Sequence, residues 1–271
     1  LKSCIGSLLL TLMLCSCNSW LDIDLINQSE ESDLFSTERG FSEALAGVYC
    51  DIAASNMYGQ TLSFGMLDIM SRIYDYSQIP NKMKIFRDYN YQDKDMKAYI
   101  YALWCSFYAN IASLNNILEW SERNASVLSD ERRDQVRGEA LALRGMLHFD
   151  IYRLFTADIK LDKTSRILPY QTDFGVKTPP VYATGDYLDL VVRDLEDAIK
   201  YLENDPIMKI TPYELGNGDG ENKDQADLYV ARMNYYAAKA LLARVYLNMG
   251  GEKVKEARRL AEEGIDCGKF A

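Results

Sequence analysis

The sequence predicts an all-α fold in which helices pack against one another in pairs. Apolar residues recur at steps of three and four over long stretches, and the alternation typical of strands is scarce. Small residues also stand where the two helices of a pair would touch. With 271 residues, of which 48% are hydrophobic and 26% charged, the chain has the composition of a folded protein with a substantial core.

A short apolar stretch opens the chain. Residues 5–14 follow Lys2 and form a run of ten residues, too short to cross the hydrocarbon core of a bilayer, which needs about 20. Such a run is typical of a signal peptide. It ends in Leu14-Cys15-Ser16-Cys17, the arrangement of a bacterial lipobox. We therefore expect residues 1–16 to be a lipoprotein signal peptide and Cys17 to carry the acyl chains (palmitate among them). An ordinary signal-peptidase site before an incidental cysteine is the alternative.

Charge and histidine content exclude several classes of function. The 30 basic and 40 acidic residues give a formal net charge of −10, which argues against a nucleic-acid partner. His148 is the single histidine, and the sequence contains no C-x-x-C pair, so a zinc site is disfavoured. A Ser-His-Asp scheme would have to use His148, for which we expect a packed position instead. The sequence predicts no metal, no cofactor and no enzymatic activity.

Two long helices are predicted over residues 99–120 and 136–155. In the first, one face is apolar and a second face consists of small side chains, so this helix should pack between two neighbours. We expect Cys105, on that second face, and Cys50, in an earlier helix, to be small core residues. Trp104 and Trp120 follow the helical pattern and are also expected in the core.

Three further helices are predicted towards the C-terminus, over residues 187–203, 233–249 and 254–266. The first begins near Asp186, a suitable N-cap residue, and ends before Asp205-Pro206. Its carboxylates Asp194 and Glu196 are expected on a solvated face. The other two helices are joined at Gly250-Gly251.

The spacing of small residues indicates tetratricopeptide-like hairpins, whose repeat is about 34 residues long. The matching stretches are Ala44-x-x-Gly47-x-Tyr49, Ala243-x-x-Tyr246 and Ala257-x-x-x-Ala261. The helix that contains Gly47 should pair with residues 99–120, and residues 136–155 should pair with 187–203. A generic helical hairpin is the alternative for any one match. Long loop insertions would interrupt the repeats, at residues 59–97, 156–185 and 204–227.

Tyrosine is unusually frequent, with 19 residues, and several of them lie in the first insertion. Sugar binding requires flat apolar ring faces beside polar groups that hydrogen-bond hydroxyls, and this insertion supplies both. The candidate ligand-binding residues are Arg72, Tyr74, Asp75, Tyr76, Arg87, Tyr89, Asn90 and Tyr91. They lie outside the periodic helices, so core packing explains them less well. The alternative is that the rings only pin the loop to the scaffold.

Four stretches together resemble the SusD/RagB family of outer-membrane nutrient-binding lipoproteins. They are the lipobox with Trp20-Leu21-Asp22 behind it and residues 137–155, 187–199 and 237–247, in that family's order and spacing. The resemblance implies a tetratricopeptide-like scaffold, lipid-anchored at the cell surface, that serves polysaccharide utilisation. It would bind an oligosaccharide or related nutrient and deliver it to a SusC-like TonB-dependent transporter.

Family members usually run to about twice this length, and no polar cap of the kind a solenoid needs is visible at the C-terminal end. Residues 17–271 are therefore interpreted as a truncated N-terminal tetratricopeptide-like domain of such a protein. The sequence is also compatible with a second function, because the repeats could hold a peptide or partner subunit without binding sugar. Exposed tyrosines in the insertion would favour the sugar, whereas a long groove without such rings would favour the peptide.

Overall fold

The computed structural model describes residues 31–210 and 231–269. The predicted signal peptide, the lipidation site at Cys17 and most of the third insertion lie outside the described residues. The principal helices are α1 (Glu38–Ile52), α2 (Met66–Met70), α3 (Lys84–Arg87), α4 (Lys94–Arg123), α5 (Asp130–Phe155), α6 (Thr184–Tyr201), α7 (Tyr235–Met249) and α8 (Lys253–Asp266). The all-α prediction is confirmed. In the described ranges, none of these helices has the length and apolarity that a membrane span requires.

Most of the long helices begin at side chains that cap their free backbone N–H groups. The Thr37 hydroxyl accepts from the amide of Gly40 at 3.1 Å, and the Asn234 side chain accepts from the amide of Ala237 at 2.9 Å. Asp93 and Ser129 cap α4 and α5 in the same way. Helix α6 differs from the prediction, since it begins at Thr184 without a side-chain cap. Asp186 lies in its first turn, where a negative charge still favours the helix dipole.

The helices pair as the sequence predicts. Helix α1 packs on α4, α5 on α6, and α7 on α8. Helix α4 also packs on α5, and α6 on α7, so the pairs stack around one continuous hydrophobic core. Helix α5 lies in the middle of this stack, and nearly all of its residues from Gly138 to Tyr152 are buried.

Glycines set the close approach of α5 to the helix that follows it. A Cβ atom at Gly138 would lie 2.5 Å from Cγ of Leu202, and one at Gly145 would lie 3.0 Å from Leu195. By contrast, Gly47 of the first predicted hairpin is exposed, and a Cβ atom there would have no neighbour within 4 Å. The pairing of α1 with α4 therefore depends on the large residues of α1, among them Phe41 and Leu45, both fully buried.

The prediction that Cys50 and Cys105 are core residues is wrong, because both are exposed. Leu103 and Phe107 direct one face of α4 into the core, whereas the face of small residues that carries Cys105 points to solvent. Small side chains permit a second neighbour but do not require one. Trp104 and Trp120 are partly buried against the core, in line with their helical spacing.

The second insertion contains a short antiparallel hairpin that periodicity does not predict. Strands β1 (Arg166–Pro169) and β2 (Val181–Ala183) pair with Leu168 opposite Tyr182, and an irregularity follows Arg166. The turn between them contains Phe174 and Val176, two exposed apolar residues.

Candidate ligand-binding site

The first insertion encloses a pocket of about 690 Å³, which we call the amide pocket. It lies between the segment that follows α1, helix α2, the 3-10 turn Tyr76–Gln78 and the N-terminal part of α4. The aromatic residues that line it are Phe64, Tyr74, Phe86 and Tyr99, and the amide side chains are Asn56, Gln60 and Gln78. Flat rings and hydrogen-bonding amides therefore face the same cavity.

The rings of the amide pocket differ in exposure. Phe64 is 56% exposed, and Tyr74 and Tyr99 are each 41% exposed. Phe86 is buried below them, with its ring edge-on to Tyr99 at a centroid distance of 5.0 Å. Buried Ile79 and Met66 complete the apolar floor. The exposed rings are thus supported from below by buried apolar side chains, and their outer faces are free to stack on a ligand.

Tyr74 combines a structural contact with an accessible ring. Its hydroxyl donates to the carbonyl oxygen of Phe64 at 2.6 Å, which ties two segments of the insertion together. The hydroxyl of Tyr89 likewise donates to the carbonyl oxygen of Met70. The hydroxyl groups of these tyrosines therefore pin the loop, as the alternative interpretation expects. The ring of Tyr74 nevertheless remains part of the pocket wall.

Asp75 supplies the carboxylate of the amide pocket. Its Oδ1 accepts a hydrogen bond from the backbone amide of Ser77 at 2.9 Å. Hydrogen bonding from Ser77 lowers the pKa of the exposed Asp75 carboxyl, so this group is ionised at neutral pH.

A smaller pocket of about 290 Å³ adjoins the first, and we call it the arginine pocket. Arg72, Arg87 and Asp88 line it, together with the residues it shares with the amide pocket: Ile69, Tyr74 and Ile79. Arg87 forms an ion pair with Asp88. The Arg72 guanidinium lies 6.0 Å from the centre of the Tyr89 ring, a weak cation–π contact.

The structure brings together most of the residues predicted for ligand binding. Arg72, Tyr74, Asp75 and Arg87 line the two adjoining pockets, and Tyr89 contacts Arg72. Asn90 and Tyr91 are exposed and line neither pocket. The structure does not describe the side chain of Tyr76.

Phe64 and Tyr99 are pocket residues that sequence reasoning does not identify. The helical pattern predicts Tyr99 in a helix, and it does lie in α4, but on the side that faces the insertion. Phe64 stands between Ser63 and Gly65, outside the predicted helices, and an aromatic residue in such a loop position is the signal that could have indicated it.

A cluster of buried polar side chains lies between α4, α5 and α6. His148 is fully buried, with Nδ1 2.7 Å from the Tyr187 hydroxyl and its ring stacked on Tyr170 at 3.8 Å. Burial, together with the charge of Arg144, lowers the pKa of His148 to about 3, so the ring is neutral. The predicted packed position of His148 is confirmed.

Asp194 belongs to the same cluster, which corrects its predicted position on a solvated face. It is 6% exposed and pairs with Arg144, whereas Glu196 is exposed. Sequence periodicity does not identify this pair because its members lie on different helices.

The polar side chains of the scaffold hold the β1–β2 turn through its main-chain oxygens. Tyr108 donates to the carbonyl oxygen of Pro169 at 2.8 Å, and the Asn115 amide donates to those of Gln171 and Asp173 at 3.2 and 3.3 Å. In residues 31–210 and 231–269, no three His, Cys, Asp or Glu side chains are grouped to hold a metal ion.

The structure defines a protein of stacked helix pairs with two adjoining pockets in a loop insertion. Residues 19–213 match a family model described as SusD-like, "starch-binding associating with outer membrane". The chain therefore belongs to the SusD-like family. Among curated proteins, none matches it.

Solved structures share this fold. A SusD superfamily protein from Bacteroides vulgatus superimposes with a TM-score of 0.64 at 22% identity, covering 87% of this chain and 49% of that one. A putative sugar binding protein from Bacteroides vulgatus superimposes with a TM-score of 0.61 at 22% identity, covering 86% of this chain and 47% of that one. A SusD superfamily protein from Bacteroides thetaiotaomicron superimposes with a TM-score of 0.60 at 22% identity, covering 84% of this chain and 46% of that one. The chain thus spans about half the length of these structures.

Proposed function

We propose that the chain binds an oligosaccharide in the amide pocket, without catalysis. The observation that carries this proposal is the position of the exposed Phe64 and Tyr74 rings beside the amides of Gln60 and Gln78. Ring faces stack on the C–H faces of sugars, and amides exchange hydrogen bonds with hydroxyls. The volume of about 690 Å³ falls in the range typical of small-ligand sites.

The description of the family supports the ligand class and the location at the outer membrane. We infer that acyl chains on Cys17 anchor the protein to that membrane at the cell surface, and that the ligand passes to a SusC-like TonB-dependent transporter. Several acyl chains on one cysteine give durable anchoring. The peptide-binding alternative is less well supported, because Tyr74, Tyr89 and Tyr91 are all exposed in the insertion.

The test is a glycan-binding screen on the full chain, followed by intrinsic fluorescence and calorimetry with the best neutral oligosaccharide. We expect Phe64→Ala and Tyr74→Ala each to raise Kd by about tenfold, the effect of losing about 1.4 kcal/mol of ring contact. Tyr74→Phe keeps the ring and should bind nearly as the parent does. Phe174→Ala is the matched control, since this ring is 42% exposed but lies on the β1–β2 turn.

If Phe64→Ala and Tyr74→Ala bind like the parent and give unchanged circular dichroism, the site has been placed wrongly. If no glycan in the screen binds, carbohydrate recognition by this chain is refuted.

Anchoring and delivery need separate measurements. Cys17→Ala should move the protein from the outer-membrane fraction to the soluble fraction. A TonB-dependent transporter encoded beside this chain should copurify with it from detergent-solubilised outer membranes. A protein that stays membrane-bound after Cys17→Ala contradicts the lipid anchor.

A further inference from the structure

We propose that the oligosaccharide carries an anionic substituent, a carboxylate or a sulfate ester, which binds in the arginine pocket while the neutral part of the sugar chain lies in the amide pocket. This inference rests on the proposed function and specifies the class of ligand.

The two pockets form one extended site. Ile69, Tyr74 and Ile79 line both of them, so the two pockets lie side by side with the partly exposed Tyr74 ring between them. Together they offer about 690 and 290 Å³, which exceeds the volume needed for a single sugar ring. A short oligosaccharide can therefore contact both.

The two ends of this site differ in chemistry. Amide and hydroxyl side chains line the larger end, with Asp75 as its carboxylate, whereas Arg72 and Arg87 line the smaller one. The carboxylate of Asp88 partly compensates the positive charge of Arg87 through their ion pair. In the part of the chain that the structure describes, no carboxylate forms an ion pair with Arg72. Its planar guanidinium can therefore donate paired hydrogen bonds to the oxygens of a carboxylate or sulfate.

The charge around the arginine pocket contrasts with that of the whole chain. Residues 72–88 contain four basic and two acidic residues, in a chain whose formal net charge is −10. Among the charged residues that line the pocket itself, Arg72 and Arg87 outnumber the single carboxylate of Asp88, which favours an anion at this end of the site.

The backbone holds Arg72 and Tyr89 in an uncommon conformation. Their φ angles are 62° and 49°, and no other described non-glycine residue has a positive φ. Such conformations persist only where the surroundings enforce them. Here the hydrogen bond from the Tyr89 hydroxyl to Met70 joins the two segments. The structure thus fixes the backbone at Arg72 and at Tyr89, and the Arg72 guanidinium lies beside the Tyr89 ring.

The experiment compares three oligosaccharides of equal length by calorimetry on the full chain: a neutral one, an oligouronate and a sulfated one. We expect at least one anionic ligand to bind about tenfold more tightly than the neutral one, since charge-assisted contacts are the stronger hydrogen bonds. Raising NaCl from about 0.05 to about 0.3 M should reduce that advantage. Comparing the oligouronate with the sulfated oligosaccharide shows whether the arginine pocket prefers a carboxylate or a sulfate ester.

Arg72→Gln should abolish the preference, because it should weaken the binding of the anionic ligands far more than that of the neutral one. Arg39→Gln is the control, because this arginine on α1 is 87% exposed and far from the insertion in sequence. If the neutral ligand binds as tightly as both anionic ones and Phe64→Ala still weakens it, the inference fails and the proposed function stands. An equal loss for all three ligands with Arg72→Gln also overturns the inference. If none of the three binds although another glycan of the screen does, the inference fails and the proposed function stands.

Discussion

The Arg144 guanidinium donates two parallel hydrogen bonds to the Asp194 carboxylate, from Nε at 2.7 Å and from Nη2 at 2.6 Å. The two side chains are only 8% and 9% exposed, and they join α5 to α6. Asn115 accepts from Arg144 at 2.7 Å, and Tyr170 donates to Asp194 at 2.8 Å. The pair is thus embedded in a hydrogen-bonded cluster, and removing one charge would leave the other buried without compensation.

Arg144→Met should lower the free energy of unfolding by about 3–5 kcal/mol, because the Asp194 carboxylate would remain buried without its counter-charge. Urea denaturation followed by circular dichroism measures this change. Arg39→Met is the matched control: it breaks an exposed pair with Glu43, and its cost should stay below about 1 kcal/mol. Equal losses for the two variants would contradict the buried role of the cluster.

His148 should make stability fall as the solution is acidified. Its pKa is about 3 in the folded protein against 6.5 in the unfolded chain, so the neutral ring stabilises the fold above pH 6.5. Between pH 6.5 and 3 the unfolded state binds a proton that the folded state does not, which costs up to about 1.4 kcal/mol per pH unit. Urea titrations from pH 7 to 4 should show a steeper loss in the parent than in His148→Gln. Parallel curves would refute a buried neutral histidine.

Glu139 should have the opposite effect on stability. Burial raises its pKa to about 7, from an ordinary value of 4.5, although Arg232 and the Tyr49 hydroxyl favour the charged form. The unfolded chain loses this proton first, so the contribution of Glu139 to stability is present below pH 4.5 and is lost as the pH rises through 7. Glu139→Gln should therefore gain stability relative to the parent between pH 5 and 7. Unfolding curves at both ends of that window provide the test, and a gain that does not change with pH would contradict it.

Gly138→Ala should destabilise the protein, because its Cβ would lie 2.5 Å from Cγ of the buried Leu202. Overpacking of this kind typically costs about 1–3 kcal/mol, which outweighs the helix propensity gained. Gly47→Ala on α1 is the control, with open space at its Cβ position, and it should stabilise by about 0.5–1 kcal/mol. Thermal unfolding should shift in opposite directions for the two variants, and a shared direction would refute the close approach.

The sequence predicts the helices and their pairing because apolar periodicity marks the buried stripe of each helix. It misplaces Cys105 because small residues are compatible with either a neighbour or solvent. The β1–β2 hairpin escapes prediction because strands of four and three residues are too short to show alternation. For the site, the tyrosines and arginines of the first insertion are recognisable from composition. Their distribution between two pockets depends on which loop segments meet, which sequence spacing does not determine.

The buried polar residues of α5 leave a signal in the sequence that apolar periodicity overlooks. Glu139, Arg144, His148 and Asp150 interrupt an otherwise apolar stretch of α5, and all four are buried. Polar residues inside a helix that is buried all round require partners, because burying them alone is costly. The identity of those partners, among them Asp194, comes from the packing of other helices and cannot be read from α5 itself.

The β1–β2 turn is fastened to the scaffold through carbonyl groups that every amino acid possesses. Its outer side chains, Phe174 and Val176, contribute nothing to that fastening. We therefore expect the turn to keep its shape when its outer residues are replaced, so that many different side chains could be presented at these positions.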